Sequence, residues 1–485
     1  MNKELRRVSI IVLAMFLALF SSITAIQVVS ADSLRADGRN VRTLYASFSA
    51  ERGPILVDGQ PIAQSVPVDD AFKYQRVYPQ GPMYSAVTGY FTLNQGNTGI
   101  EGALNDYLSG TSNRQFLDQL NSVLTGQNPK GAAVEVTIDP VVQQAAWDAL
   151  GDLQGAVVAI DPKTGAILAM VSKPTFDPNQ LASHDTRQVI DTYNTLLADP
   201  TDPLINRSIA GSLNPPGSTF KLVVASAALS TGRYTPDSEF PNPATLTLPE
   251  SNSVITNAEG GTCGGTPTVT IATALRLSCN IPFAELGLEL GYKTISDQAK
   301  KFGFGDPSFE VPMVVTPSVF PPVESDAQLM LQSFGQGNDR VTPLQMAMVS
   351  GAISNGGQLY RPTLVESITA PDLSVIQAFN PSLYGTAMSP EVAASMTQMM
   401  IANVANGAAS NARISGVDVA GKTGTAENGE GAPFTLWFTG FAPANDPQVA
   451  VAVVVENGGG RGQSAFGNQI AAPIAKKVIE AVLNR

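Results

Sequence analysis

Histidine and cysteine are scarce in this sequence. Its 485 residues include one histidine, His184, and two cysteines, Cys263 and Cys279. A metal site built from several histidines is therefore excluded, and two cysteines could hold zinc only with other ligands. A Ser-His-Asp triad could use only His184, which lies in a polar stretch that we interpret as a loop. We expect no metal and no cofactor, and a catalytic serine here needs another base.

Charged residues are also few, at 14% of the chain, and the acidic ones prevail to give a net charge of −12. An acidic chain repels phosphate backbones, so we expect no nucleic acid partner. Hydrophobic residues make up 44% of the chain, which is typical of a globular protein and not of a disordered one. The length predicts two or more domains.

The amino terminus carries a long stretch without charge. Three basic residues lie within residues 1–7, ahead of an uncharged and largely apolar run from Val8 to Ala31. A helix of roughly 20 such residues spans a bilayer, and its basic flank stays on the cytoplasmic side. We predict a cytoplasmic tail at 1–7, a transmembrane anchor at 8–30, and a single-pass cell-membrane protein whose bulk is extracytoplasmic. A cleaved signal peptide is the alternative, because small residues occur at Ser21-Ser22 and Ser30-Ala31.

Turn signals and alternating apolar residues organise the rest of the chain. Residues 31–150 contain many turn-forming pairs of Gly, Pro and Asp, and they form a first extracytoplasmic region. An exposed linker is predicted at 127–131. Predicted strands lie at 134–138, 155–160, 166–171, 437–441 and 449–455, and predicted helices begin at Asp139-Pro140 and at Pro473. Strands at both ends with helix-rich sequence between them predict one sheet completed by the two ends of the chain.

Ser218 is a candidate nucleophile. Pro215-Pro216-Gly217 interrupts the chain before it, and the apolar residues after it predict a buried helix. Ser218 thus lies near a helix start, where free N–H groups favour negative charge. Lys221 lies about one turn further on the same face, and a buried, neutral lysine could accept the serine proton. A helix-capping serine followed by a surface lysine is the alternative for this motif alone.

Ser278 and Asn280 form a second motif, directly after a predicted helix at 271–277. On a loop beside a cleft, these two small polar side chains could hold a lysine in place or relay a proton. A solvated turn is the alternative interpretation.

The third motif is Lys422-Thr423-Gly424-Thr425. Lys422 can hold a substrate carboxylate, and the two threonines can donate hydrogen bonds to it. The glycine leaves the chain open to the close approach of a substrate backbone. The N–H groups of Thr425 and Ser218 could together form an oxyanion hole. An ordinary edge strand with a surface lysine is the alternative.

The segment from Gly416 to Thr423 also satisfies the P-loop pattern G-x-x-x-x-G-K-[ST]. A P-loop needs a strand before its glycines and a helix after its threonine. Alternation through Val417 and Val419 predicts strand inside the pattern instead, and residues 425–431 are a poor helix. We therefore expect no nucleotide site here.

The three motifs, in this order and behind an anchor, resemble the S-x-x-K, S-x-N and K-T-G signature of penicillin-binding proteins and serine β-lactamases. Residues 206–208, 335–337, 342–345 and 437–443 resemble transpeptidase-domain sequence, and residues 52–53 and 99–101 resemble the pedestal of class B penicillin-binding proteins. The resemblance implies an α/β (α+β) fold with a penicillin-binding/serine β-lactamase-like transpeptidase domain at 151–485, an antiparallel sheet flanked by helices. It also implies a smaller N-terminal pedestal (dimerisation-like) domain at 31–150.

The activity implied by the resemblance is that of a peptidoglycan D,D-transpeptidase. Ser218 would attack the D-Ala-D-Ala bond of a stem peptide, and β-lactams would acylate the same serine. The implied partners are stem peptides, β-lactams, the membrane and a polytopic cell-wall glycosyltransferase. The implied catalytic residues are Ser218, Lys221, Ser278, Asn280 and Lys422, and the implied substrate-binding residues are Thr423, Gly424 and Thr425.

The second motif departs from the family form S-D-N, because Cys279 takes the place of the acidic residue. A D,D-carboxypeptidase, a β-lactamase using the same serine and a non-enzymatic cell-wall-binding module are the alternatives. A β-lactamase must activate water, and no E-x-x-L-N segment between Asn280 and Lys422 provides the glutamate that does so in class A.

Cys263 and Cys279 are predicted to form a disulfide, because an extracytoplasmic compartment is oxidising. Cys279 lies inside the second motif, so the bond would hold the loop of Cys263 beside the cleft. Two separate thiols are the alternative.

Overall fold

The structure, a computed structural model, describes residues 2–30, 50–112, 130–211, 213–258 and 260–485. Most of the linker predicted at 127–131 lies outside these ranges. Helix α1 covers Asn2–Thr24 and continues into a π-helical turn at Ala25–Val29. Within it, Leu5–Gln27 has a mean hydropathy of 2.4 and none of it is buried, so this stretch is long and apolar enough to cross a membrane. One such helix beside a large folded region fits a single-pass membrane protein.

The remaining helices and strands are mixed along the chain. The helices are α2 Gly81–Thr88, α3 Gly99–Ala103, α4 Asn105–Leu108, α5 Pro140–Leu150, α6 Thr186–Ala198, α7 Lys221–Ser230, α8 Ile271–Leu277, α9 Ile281–Lys301, α10 Asp326–Gln332, α11 Pro343–Ser354, α12 Pro390–Asn406 and α13 Gly467–Leu483. The strands are β1 Ile55–Val57, β2 Gln60–Pro67, β3 Tyr74–Val77, β4 Ala133–Val136, β5 Gly155–Ile160, β6 Ile167–Lys173, β7 Glu239–Pro241, β8 Thr245–Thr247, β9 Val254–Thr256, β10 Thr268–Thr270, β11 Gln358–Tyr360, β12 Val365–Thr369, β13 Val375–Ala378, β14 Leu383–Thr386, β15 Ala420–Ala426, β16 Thr435–Ala442 and β17 Val449–Val455.

A five-stranded antiparallel sheet has the order β15-β16-β17-β5-β6. Its strand β5 pairs with β17, with Gly155 opposite Val455, so sequence from both ends of this region meets in one sheet. Every residue of β17 is buried, as expected for a continuous apolar strand covered on both faces. Helices α5 and α13 pack on one face and α11 on the other. The predicted sheet completed by the two ends of the chain is confirmed.

A group of helices lies beside the edge strand β15. Helix α7 is buried along nearly its whole length, because it packs against α9 and α12, and a helix that is apolar all round is a core helix. Helix α8 packs against α12 and ends directly before α9. The turn before α7 and the break between α8 and α9 both lie against β15.

A second sheet has the order β13-β12-β4-β1-β2-β3. Strand β4 pairs in parallel with β1 and antiparallel with β12, where Val134 lies opposite Ile368. The amino-terminal part of the chain thus completes its sheet with a hairpin, β12 and β13, from much later in the sequence. The domain limits at 31–150 and 151–485 stay predictions.

Two element limits differ from the predicted ones. The strand predicted through Val417 and Val419 begins at Ala420. In the register of β15 with β16, the residue opposite Asp418 is Pro443, which has no N–H to donate to the ladder. The helix predicted to start at Pro473 begins six residues earlier, at Gly467, so this proline lies inside α13.

A buried ion-pair group lies beside the second sheet. The carboxylate of Glu101 is bonded by the Nε of Arg52 at 2.5 Å and the Nε of Arg76 at 2.6 Å, and by the hydroxyl of Tyr78 at 3.2 Å. All four side chains are buried. Burial disfavours the ionised form of Glu101, but the charges of Arg76 and Arg52 outweigh it and hold the pKa of Glu101 below its ordinary value.

We predict that Glu101→Gln lowers the free energy of unfolding by about 3–5 kcal/mol, because it leaves two buried arginines without a counter-charge. Denaturant unfolding of the detergent-solubilised protein at neutral pH measures this loss. Because the pKa of Glu101 is lowered, the parent keeps this stabilisation at neutral pH and loses it as the pH falls through that lowered pKa. Asp297→Asn, which removes an exposed ion pair with Lys293, is the control and should leave stability unchanged. Equal stability of parent and Glu101→Gln would contradict the prediction.

Candidate active site

Ser218 lies on a 3-10 turn, Gly217–Phe220, that leads directly into α7. The hydroxyl of Thr219 donates to the carbonyl of Pro216 at 2.7 Å and closes this turn. Gly217 has a φ of +51°, and a Cβ there would lie 3.0 Å from the carbonyl carbon of Thr425 on β15. Glycine therefore allows the turn to approach the strand closely. The predicted position of Ser218 at a helix start is confirmed.

Lys221 is the first residue of α7 and is fully buried. Its amine Nζ donates hydrogen bonds to the carbonyl of Ser278 at 2.8 Å and to Oδ1 of Asn280 at 2.9 Å. A neutral amine has two N–H donors and one lone pair, so these two bonds leave the lone pair to accept a proton. Burial, and then the positive charge of Lys422, hold the pKa of Lys221 well below its ordinary value.

Ser278 and Asn280 follow the end of α8. Ser278 has a φ of +63°, a left-handed conformation that stops the helix and turns the chain towards α9. The side-chain amide of Asn280 donates from Nδ2 to the carbonyl of Thr256 at 3.0 Å, which orients its Oδ1 towards Lys221. The backbone N–H of Asn280 donates to Oδ1 of Asn257 at 2.9 Å. The position of Asn280 is thus fixed by hydrogen bonds from both its side chain and its backbone.

Lys422 on β15 completes the cluster. Its buried Nζ donates to the hydroxyl oxygen of Ser278 at 2.7 Å and to the carbonyl of Thr423 at 2.9 Å. Burial lowers the pKa of Lys422 to about 7. Because Lys221 bonds the carbonyl of Ser278 and Lys422 bonds its hydroxyl, the structure brings all three sequence motifs together at this one serine.

The open edge of β15 faces the turn that carries Ser218. Within an antiparallel strand, the N–H and C=O of one residue point to the same side. The carbonyl of Thr425 accepts a hydrogen bond from Nε2 of Gln336 at 3.2 Å, and the carbonyl of Thr423 accepts one from Nζ of Lys422. The backbone carbonyls of both threonines therefore point away from β16. The N–H of Thr425 therefore points to the same open edge. A Cβ on Gly424 would lie 2.8 Å from the carbonyl of Pro216, so glycine is needed for this approach.

The threonine hydroxyls have other partners in this structure. The hydroxyl of Thr423 donates to the carbonyl of Ala408 at 3.0 Å, and that of Thr425 accepts from the N–H of Gly467 at 3.1 Å. Thr423 would have to leave Ala408 before it could donate to a substrate. The predicted roles of Thr423, Gly424 and Thr425 in substrate binding stay predictions.

A disulfide joins Cys263 to Cys279, with their Cα atoms 5.8 Å apart. Cys279 is buried between Ser278 and Asn280, and Cys263 lies on the loop between β9 and β10. Asn242 adds to this link, because its Nδ2 donates to the carbonyl of Cys263 at 2.7 Å. The loop that contains Asn257 is therefore held against the second motif by covalent and hydrogen bonds.

Three contacting residues were missed by the reasoning from sequence. Asn257 accepts the backbone N–H of Asn280, Gln336 bonds β15, and the indole Nε1 of Trp437 donates to the carbonyl of Pro215 at 2.9 Å. Gln336 and Trp437 lie in stretches that resemble transpeptidase sequence, which was the available signal for them. No pattern in the sequence singles out Asn257.

The geometry suits acyl transfer. Ser218 is a partly exposed hydroxyl near a helix start, Lys221 is a buried amine with a lone pair, and the N–H groups of Ser218 and Thr425 can stabilise an oxyanion. His184 is not part of the cluster, since its Nδ1 pairs with Oδ2 of Asp70 at 2.6 Å. Across the described ranges, no group of three or more His, Cys, Asp or Glu side chains is placed to hold a metal ion.

Comparison with protein families gives two matches. Residues 155–480 match the model of the penicillin-binding protein transpeptidase domain, and residues 52–134 match that of the penicillin-binding protein A dimerisation domain.

Comparison with individual proteins extends over the whole chain. Peptidoglycan D,D-transpeptidase PbpA of Mycolicibacterium smegmatis is 43% identical, over 100% of this chain and 99% of the relative. PbpA of Mycobacterium tuberculosis H37Rv is 41% identical over the same shares. The fold is similar to penicillin-binding protein A from M. tuberculosis in its ceftriaxone acyl-enzyme complex, with a TM-score of 0.87 and 40% identity over 90% of this chain and 100% of that chain. It is also similar to a D,D-transpeptidase domain from Eggerthella lenta, with a TM-score of 0.77 and 34% identity over 90% and 99% of the two chains.

We predict that the double variant Cys263→Ser, Cys279→Ser loses about 3 kcal/mol of unfolding free energy, as loop closure implies for a short loop. The two cysteines are 16 residues apart. Denaturant unfolding without reductant measures the loss, and reduced parent protein should approach the variant. Titration of two free thiols in parent protein purified without reductant would refute the bond.

Proposed function

The chain belongs to the class B penicillin-binding protein transpeptidases, and from this premise we propose that its peptidoglycan D,D-transpeptidase reaction runs through an acyl-enzyme at Ser218. The relatives confirm the resemblance drawn from the motifs, and the match of residues 52–134 to the penicillin-binding protein A dimerisation domain agrees with it. The observation that carries the proposal is the buried amine of Lys221, whose two donors are used by Ser278 and Asn280. Its lone pair is thereby available one helical turn from Ser218.

Acylation begins when Oγ of Ser218 attacks the carbonyl carbon of the penultimate D-Ala in a stem peptide. The hydroxyl proton passes to Nζ of Lys221. Negative charge develops on the carbonyl oxygen, where the N–H groups of Ser218 and Thr425 stabilise it. Lys422 and Thr423 bind the terminal carboxylate of the substrate, with Gly424 giving the backbone close access to β15.

Departure of the terminal D-Ala requires a proton on its nitrogen. Ser278 supplies it, because its oxygen accepts a bond from Lys422 and its own hydrogen is free to turn to the cleft. Ser278 regains a proton from Lys422. The amine of a neighbouring stem then attacks the acyl carbonyl and gives a proton to Lys422 through Ser278. The ester bond to Ser218 breaks, Lys221 returns its proton to Oγ of Ser218, and a new amide cross-links the two stems. Water in place of that amine would give the carboxypeptidase outcome from this intermediate, and water acting on the acyl-enzyme of a β-lactam would give the β-lactamase outcome.

A β-lactam acylates the same serine by opening its four-membered amide ring. The M. tuberculosis relative has been solved as ceftriaxone, imipenem and penicillin G acyl-enzyme complexes, which supports this use of Ser218.

We further propose a location and a partner. Residues 1–7 are cytoplasmic, residues 8–30 form the anchor in the cell membrane, and the rest is extracytoplasmic, with a pedestal domain at 31–150 and a transpeptidase domain at 151–485. The basic flank of α1 and the disulfide support this arrangement. An anchored enzyme that joins stems needs new glycan beside it, which supports a polytopic cell-wall glycosyltransferase as the partner.

We predict that Ser218→Ala abolishes covalent labelling by a fluorescent penicillin, because the attacking oxygen is lost. Ser230→Ala, at the exposed end of the same helix α7, is the matched control and should label like the parent. The labelled band on a denaturing gel is the readout. Persistent labelling of Ser218→Ala would overturn the serine assignment.

We predict a shift in the pH profile of acylation for Lys422→Gln. Lys221 acts as a base only when neutral, so the rate rises with pH through its pKa. Burial and the charge of Lys422 both lower the pKa of Lys221, so removing that charge should move the rising limb to higher pH. Lys422→Arg keeps a positive charge and should leave the midpoint near that of the parent. Stopped-flow acylation between pH 5 and 9 would show it, and an unmoved midpoint in Lys422→Gln would count against Lys221 as the base.

A further inference from the structure

The dipeptide Gly335-Gln336 bonds the residue before Ser218 and also Thr425, whose N–H is the second proposed oxyanion donor. It lies on the loop between α10 and α11. The N–H of Gly217, next to Ser218, donates to the carbonyl of Gly335 at 3.1 Å. The side-chain Nε2 of Gln336 donates to the carbonyl of Thr425 at 3.2 Å, and its Oε1 accepts the N–H of Glu427 at 3.1 Å. One short segment thus bonds the backbone beside Ser218 and the backbone of Thr425.

The side chain of Gln336 acts as a substitute for a neighbouring strand. Strand β15 is at the edge of its sheet, so the groups of Thr425 and Glu427 on that side have no strand partner. The amide of Gln336 offers one donor and one acceptor, and it bonds two backbone groups on the same side of the chain. An edge held in this way is restrained in both translation and twist.

The loop packs closely against its neighbours on both sides of Gln336. Gly335 has a φ of +80°, and a Cβ there would lie 1.9 Å from the carbonyl oxygen of Gly217. A Cβ on Gly337 would lie 2.3 Å from Cγ of Gln332. Two glycines therefore allow the close contacts on each side of Gln336. The closely packed backbone of this loop places the side-chain amide of Gln336 against β15.

We propose that Gln336 is a positioning residue of the acylation step, which holds the N–H of Thr425 at the distance from the N–H of Ser218 that the oxyanion requires. Oxyanion-hole donors act when they lie about 2.7–3.1 Å from the oxygen as it becomes charged. Gln336 acts through Thr425 and need not touch the substrate. This inference rests on the proposed acylation of Ser218 and names a residue that supports it.

Loss of this hold should slow the chemical step and leave binding largely unchanged. In Gln336→Ala we expect the acylation rate constant k2 for a fluorescent penicillin to fall about 10- to 100-fold, less than the 10²–10³ that loss of a direct oxyanion donor costs. The dissociation constant of the initial complex should stay within about threefold of the parent value, because uniform binding is not affected. Stopped-flow acylation of the detergent-solubilised full chain separates the two constants.

Gln336→Glu tests the donor itself. An ionised carboxylate cannot donate to the carbonyl of Thr425 and repels its oxygen, whereas a protonated carboxyl can donate an O–H. The ratio of k2 in the variant to k2 in the parent should therefore rise towards one as the pH falls through the pKa of the new carboxyl. A purely structural role for Gln336 predicts a ratio that does not depend on pH in this way.

Gln75→Ala is the matched control, since the side-chain amide of Gln75 also bonds two backbone groups: its Nε2 donates to the carbonyls of Arg76 and Ala182. It should acylate like the parent. Parent-like k2 in Gln336→Ala, a defect confined to the initial complex, or a flat pH ratio in Gln336→Glu would overturn the inference. If Gln336→Ala does not fold, the pH ratio of Gln336→Glu decides. Failure of the proposed function would look different, because the parent itself would then not acylate or Ser218→Ala would still be labelled.

Discussion

The amines of Lys221 and Lys422 are both fully buried beside Ser278. The structure around Ser218 depends on the hydrogen bonds that stabilise these two amines there. Burial disfavours the charged form of each. No carboxylate of the described residues forms a salt bridge with either one, and their hydrogen bonds go to neutral oxygens of Ser278, Asn280 and Thr423. A neighbouring carboxylate would hold a lysine in its charged form and remove it as a base.

The fold supplies those neutral oxygens from three separate places. Lys221 comes from the start of a core helix, Ser278 and Asn280 from the break between α8 and α9, and Lys422 and Thr423 from a sheet edge. The break is held by the disulfide and by Asn257, and the edge is held by its seven-residue register with β16. Since the break and the edge are each held by bonds of their own, the amines meet acceptors whose positions are already set.

The sequence predicted the residues that carry the reacting groups, but not all of the residues that hold those groups in position. Spacing alone put Ser218 and Lys221 on one helical face, and valine-rich runs predicted β5 and β17, because both signals are local. The start of β15 could not be read from Val417 and Val419, since it depends on Pro443 across the sheet. The Thr423–Ala408 bond, Asn257 and Gln336 were missed for the same reason: these contacts join residues that are 15, 23 and 89 apart in sequence.

The hairpin β12–β13, which completes the amino-terminal sheet from later in the sequence, has a mechanical consequence. Strand β4 is bonded to β1 on one side and to β12 on the other. A force applied along the amino-terminal sheet therefore reaches the later part of the chain through a row of several hydrogen bonds that share the load, rather than through a single covalent link. Such a row resists shear collectively. A displacement of the amino-terminal sheet would therefore move the later part of the chain, and the cleft around Ser218 with it, as one body.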